Sequence, residues 1–140
     1  MTRIEFRTHI KDKLDYVCRW ARKALTVKPD VRVVLFVRDS AQLLKLDEAL
    51  WTFSDHDFLP HAEAGTPHAS HSPILLACDN AVLPHQEILV NLSPSVPPFF
   101  ARFERLIELV STDEEDRQAG KQRYVHYRQR GYTLQHEVAG

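Results

Sequence analysis

Apolar residues recur along this chain in two rhythms, one suited to strands and one to helices. In residues 3–7 (RIEFR) polar and apolar side chains alternate, the period of a short strand. Between residues 11 and 25, Leu14, Val17, Cys18, Ala21, Ala24 and Leu25 fall at helical spacing and define one face of a helix. Lys28, Pro29 and Asp30 interrupt it, and residues 31–37 (VRVVLFV) follow as a β-branched and aromatic run, which predicts a strand covered on both faces. Asp39 with Gln42 three residues later forms a capping box for a second helix, which carries Leu46, Ala49 and Leu50 and reaches Trp51. Alternation of strand and helix predicts right-handed crossovers and a mainly parallel sheet.

Residues 61–73 (HAEAGTPHASHSP) are small, polar and turn-prone and read as a surface loop. Residues 74–78 (ILLAC) and 87–92 (EILVNL) read as two further buried strands. The prolines of residues 93–98 (SPSVPP) forbid regular structure. After them Phe99, Phe100, Phe103, Leu106, Ile107 and Val110 make a broad stripe, expected of a helix packed on the sheet. Thr112 and Glu115 form a capping box for the last helix; acids occupy residues 113–116, and Arg123, Arg128 and Arg130 crowd its end before Gly131. With no repeat and no second core pattern, residues 1–140 are expected to form one domain: a three-layer α/β fold with a mainly parallel central sheet flanked by helices.

Composition narrows the function classes. At 44% hydrophobic and 26% charged residues the chain has the balance of a globular protein, and no apolar run is long enough to span a bilayer. The first residues lack the features of a signal peptide, so a cytoplasmic location without membrane contact is expected. Cys18 and Cys78 suit reduced, buried thiols rather than a disulfide framework. A net charge of -1 argues against a general nucleic-acid coat, so any basic surface must be local. The four glycines, Gly65, Gly120, Gly131 and Gly140, fall in neither GxGxxG nor GxxxxGK[ST] spacing. The topology is therefore nucleotide-binding-like without a phosphate loop, and no cofactor is expected. His61, His68 and His71 lack a second ligand cluster that would complete a metal site. Asp55, His56 and Asp57 are adjacent, point different ways and read as turn and cap residues. No catalytic constellation emerges, and a non-enzyme is expected.

Two features remain. On a helix, Arg117, Lys121, Tyr124 and Arg128 share an arc of about 60°, a basic stripe with one phenol in it. Its partner is an anion: a phosphate chain with a base stacked on Tyr124, or an acidic peptide ending in a carboxylate and an aromatic ring. Residue physics leaves both open. The second feature is the pair of large aromatics Trp51 and Phe58, placed so that one ring is buried and one partly presented.

Five fragments in order, LDEALW, FLPH, ILVNLS, PPFFARFERLIELV and KQRYVHYRQRGY, resemble the chi subunit of the bacterial DNA polymerase III holoenzyme, with the likeness running over residues 18–132. The resemblance implies a non-catalytic clamp-loader accessory protein that binds the psi subunit and the acidic C-terminal tail of single-stranded DNA-binding protein (SSB), and meets DNA only indirectly. It implies a tail pocket in which Trp51 lies beside the basic face of the last helix, with Val110, Arg117, Lys121, Tyr124 and Arg128, and it places Phe58 on a psi-facing surface. The opening RIEFRTHI is more charged than the family's apolar start, and Val125 stands where relatives can carry a base. An alternative is a degenerate helicase-like or nucleotide-binding α/β protein, because VRVVLFVRDSAQLLKLDEAL also resembles the strand and helix that begin a helicase's second motor domain.

Overall fold

The computed structural model describes residues 2–52, 60–67, 71–78 and 84–139. The sheet grows outward from β2 (Val33–Phe36), β4 (Ile74–Ala77) and β5 (Ile88–Asn91), each four residues long and buried throughout. Around them stand β1 (Arg3–Ile10), β3 (His61–Glu63), β6 (Arg105–Ser111) and β7 (Leu134–Val138), in the order β3-β4-β2-β5-β6-β1-β7. Every pairing is parallel. Helices α1 (Lys13–Val27) and α2 (Ser40–Thr52) pack on one face, against Val33, Leu35, Ile74, Leu76, Ile107 and Leu109. Helix α3 (Glu114–Gln129) covers the other face with the Phe99, Phe100 and Phe103 cluster, against Val34, Leu75, Leu89, Leu106 and Val110. Odd and even residues of each central strand thus feed separate cores, and continuous apolar runs result. The expected three-layer α/β fold is the observed one.

Local chemistry sets the helix ends. The Asp12 carboxylate accepts from the Leu14 and Asp15 N–H groups and starts α1 at Lys13. Before α2, the Gln42 N–H donates to Asp39 Oδ1, while Gln42 Oε1 accepts from the Arg38 N–H, one residue earlier than a regular capping box reaches.

Three sequence expectations are corrected, and one strand is added. Phe99 to Val110 is not a helix: a 3-10 turn at Phe100–Arg102 leads into strand β6. Leu106 through Val110 are buried on both faces of the sheet, and a strand apolar on both faces carries no alternation to distinguish it from a helix stripe. The loop over residues 61–73 contains β3, which pairs with β4 and turns its own Ala62, and Ala64 just after it, toward the α3-side core. Strand β7, with mostly exposed side chains, was not anticipated; pairing with β1 makes it a strand. The α3 cap is Asp113, accepting from the Asp116 N–H, rather than Thr112 with Glu115.

Asp116 is then available to fasten α3. Its Oδ2 accepts from the Ser111 N–H at 2.7 Å and its Oδ1 from Lys13 Nζ at 3.1 Å, joining α3 to β6 and α1. Burial alone would raise the Asp116 carboxyl, but the Ser111 N–H and the Lys13 ammonium outweigh it and hold it below the usual carboxylate range. Burial costs the Lys13 ammonium more than Asp116 returns, so that pKa is lowered too. A depressed carboxyl stabilises the fold above its unfolded pKa, near about 4, and loses that contribution as pH falls through the folded value. Asp116→Asn is therefore expected to cost about 1 kcal/mol at neutral pH, with the gap to wild type closing in thermal melts taken on the acid side.

Candidate functional site

The site is built where α3 stops short of covering the sheet edge. The helix lies chiefly over β6, and a buried polar group seats it there. Glu108 on β6, fully buried, accepts from Arg123 Nε at 2.9 Å, from Asn91 Nδ2 at 2.9 Å and from the Tyr127 hydroxyl. Arg123 Nη1 donates to the Pro94 carbonyl at 3.0 Å, and Asn91 Oδ1 accepts from the Ser93 N–H and hydroxyl, so the proline-rich turn joins the same network. Arg123, expected to crowd the helix end with Arg128 and Arg130, is instead a core residue. Burial pushes the Glu108 carboxyl up despite Arg123, Tyr127 and Asn91; burial and then Glu108 push the Tyr127 phenol up, so Tyr127 stays a donor.

One turn toward the N-terminus, Gly120 brings α3 down onto β6. A Cβ at that position would lie 2.8 Å from Val110 Cγ2. Val110 forms a floor under the helix edge, and Tyr124 packs edge-on against Phe6 of β1 with ring centroids 5.2 Å apart. Beyond them β1 changes register between Arg7 and Ile10, with His9 at φ +63°. The irregularity reverses the strand's facing: Phe6, Thr8 and His9 all line the α3 side, and Ile10 returns to the α1 core.

The result is a cavity of about 430 Å³ at the carboxyl ends of β1 and β6, where parallel α/β sheets place ligands. Helix α3 supplies Arg117, Lys121 and Tyr124 as one wall; β1 and His136 of β7 supply the other; Val110, Ser111 and Thr112 lie between. No carboxylate lines it among the described residues. Arg117 lies 3.1 Å from exposed Glu114, while Lys121 and Arg128 are exposed.

Of the residues singled out in sequence, Val110, Arg117, Lys121 and Tyr124 meet in this cavity, and Arg128 lies one turn further along the same helix face. Trp51 does not stand beside α3. It ends α2 on the opposite face, 57% exposed, its ring 5.5 Å from that of His61 on edge strand β3. The His61 imidazole lies 2.9 Å from Asp47 of α2. Three strands, β4, β2 and β5, separate β3 from β6. Phe58, like Asp55, His56, Asp57 and His68, lies outside the described residues. Phe6, Thr8, His9 and His136 were missed, since nothing local links β1 to β7; Gly120 carried a readable signal, a lone glycine within a helix pattern.

A sequence profile described as DNA polymerase III chi subunit, HolC, matches residues 1–135. The chain belongs to the DNA polymerase III chi subunit family. It is 33% identical to DNA polymerase III subunit chi of Pseudomonas aeruginosa over 139 residues, covering 96% of this chain and 95% of that protein. The chi subunits of Escherichia coli, 30% identical over 104 residues, and Haemophilus influenzae, 28% identical over 110, match 74% and 78% of this chain and 71% and 76% of their own lengths. As a chi-family protein it is a DNA-replication accessory subunit. Among its described residues no helix is long and apolar enough to cross a membrane, and no group of three or more His, Cys, Asp or Glu is placed to hold a metal. Cys18 is buried, as expected, whereas Cys78 just after β4 is only partly so; burial, then Asp15 and Asp12, push the Cys18 thiol up to about 11.

Proposed function

We propose that the α3 cavity binds the acidic C-terminal tail of SSB, and that through psi the chain tethers the polymerase III clamp loader to SSB-coated template in the cytoplasm. The observation that carries this reading is the combination in one cavity of an apolar floor, Val110, Phe6 and Tyr124, with the Arg117 and Lys121 cations on one wall. A chain-terminal aromatic side chain and its carboxylate need that pairing. A phosphate group is less well served. It favours a helix N-terminus, and here the first turn of α3 carries Glu114, Glu115 and Asp116 and is capped by Asp113. Arg128 extends the cationic face toward upstream tail residues. A disordered tail binds modestly because its ordering costs free energy, and several tails on one SSB oligomer raise the effective concentration.

Trp51 and Phe58 we assign to a second surface, for psi. Trp51 sits on the opposite sheet face near the β3 edge, so one chain can hold both partners at once. In fluorescence-anisotropy titration of a labelled tail peptide, Lys121→Glu is expected to weaken binding at least about tenfold, and added salt to weaken wild-type binding. Trp51→Ala should leave tail affinity unchanged and reduce co-purification with psi. A folded wild-type protein that binds no tail peptide would remove the tail-binding assignment.

A further inference from the structure

The wall of the cavity facing α3 carries two imidazoles that the basic stripe does not explain. Thr8 Oγ1 lies 2.9 Å from His9 Nδ1 and 2.7 Å from His136 Nε2, so one hydroxyl bridges both rings. His9 holds a left-handed backbone, φ +63°, at the β1 irregularity, a conformation uncommon for any residue with a Cβ. His136 pairs in register with Phe6 and shares its face. A hydroxyl has one proton. With both rings neutral, Thr8 can donate to one ring and accept from the other, leaving one outward nitrogen a donor and the other a bare acceptor. Protonation turns the acceptor into a donor and adds positive charge.

Among the described residues no acid faces the pair. Arg117, Lys121 and Tyr124 face it from α3, and Lys11 follows β1. Glu137 pairs with Arg7, whose Nε lies 4.0 Å from it, on the other face of β7. Glu5 engages Arg7 and Arg105, Glu114 engages Arg117, Asp113 caps α3, and Asp116 is held by Ser111 and Lys13.

We propose, resting on the tail-binding reading above, that His9 and His136 around Thr8 form a second anion subsite, which takes a side-chain carboxylate of the acidic tail opposite the Arg117 and Lys121 wall and strengthens on acidification. Histidine ordinarily changes charge between about pH 5 and 8, whereas the carboxylates of an acidic peptide stay ionised above about pH 6. The test is anisotropy titration of the labelled tail peptide at pH 8 and pH 6 at fixed ionic strength. Wild type is expected to bind roughly three- to tenfold tighter at pH 6. His136→Gln and His9→Asn, the latter chosen because Asn tolerates the left-handed backbone, should each lose most of the gain between pH 8 and pH 6, read as the ratio of each variant's own affinities at the two pH values. With wild-type protein, replacing the tail's side-chain carboxylates by amides one at a time should remove the same gain at one position. Wild-type affinity equal at both pH values, or a gain that survives in both variants and all amide peptides, would overturn the subsite and leave the tail pocket standing. Absence of binding at both pH values would instead overturn the tail-binding reading and the subsite with it.

Discussion

Arg123→Ala is expected to destabilise the protein by about 3–5 kcal/mol at pH 8. Arg123 is buried, donates to Glu108 Oε1 at 2.9 Å and to the Pro94 carbonyl at 3.0 Å, and faces a carboxylate with no solvent exposure. Its removal leaves that carboxylate with Asn91 and Tyr127 alone and the Pro94 carbonyl without its donor. The effect carries a pH signature. Burial already raises the Glu108 carboxyl against Arg123, Tyr127 and Asn91, and loss of Arg123 raises it further. An acid whose folded pKa exceeds its unfolded value, about 4.3, favours folding most below the unfolded value and loses that contribution as pH rises through the folded one. The deficit of Arg123→Ala relative to wild type should therefore be smaller at pH 5 than at pH 8 in denaturant titrations. The double variant Glu108→Leu with Arg123→Met, which replaces the pair by apolar volume, should recover much of the loss. A single variant within 1 kcal/mol of wild type at pH 8 would mean that the pair does not seat α3.

Gly120→Ala should cost about 1–3 kcal/mol and deform the tail cavity together. The added Cβ would lie 2.8 Å from Val110 Cγ2 and 3.0 Å from Cγ1. Val110 is almost fully buried, and a valine has little rotamer freedom with which to yield. Helix α3 must lift, carrying Lys121 and Tyr124 away from the floor they share with Val110. Adding Val110→Ala should relieve the contact, so the double variant should be more stable than the sum of the single effects predicts. Simple additivity in melts would show that the close approach is not what limits this position. Higher helix propensity of alanine works in the opposite direction by up to about 1 kcal/mol, so net stabilisation would equally count against the account.

The two variants bear on one design. Glu108–Arg123 and Gly120–Val110 hold α3 over β6, and only with α3 there does a step remain between the helix and the outer strands β1 and β7. The cavity is that step. Its cations come from the helix flank, its floor from β6 and its far wall from strands more than a hundred residues apart in sequence.

How much of this was legible before the fold was known follows from the range of each signal. The grouping of Arg117, Lys121, Tyr124 on one helix face depends only on helical pitch, and it holds. The central strands β2, β4 and β5 were equally plain, because short β-branched runs between turn residues leave few alternatives. Phe99 to Val110 misled because a strand buried on both faces shows no period, and Glu108 inside it gave no sign of its partner fifteen residues on. Strand β7 has little apolar content and is defined by hydrogen bonding to β1. The placement of Trp51 could not be read locally either. A helix's face of the sheet follows from strand order, and strand order is non-local.

By itself, then, the sequence determined the α/β class, the absence of a glycine phosphate loop, the family likeness and the charge of the last helix, all properties of residue type and short-range spacing. Only the tertiary structure decided which of those charges face a cavity and which, like Arg123, are buried ions of the core. It alone brought β1 against β7 to set Thr8, His9 and His136 opposite the basic stripe, and set Trp51 on the other face of the sheet. The physical reason is that parallel strands meet through crossovers, so the chain's local pattern specifies what each element buries and the strand order specifies against whom.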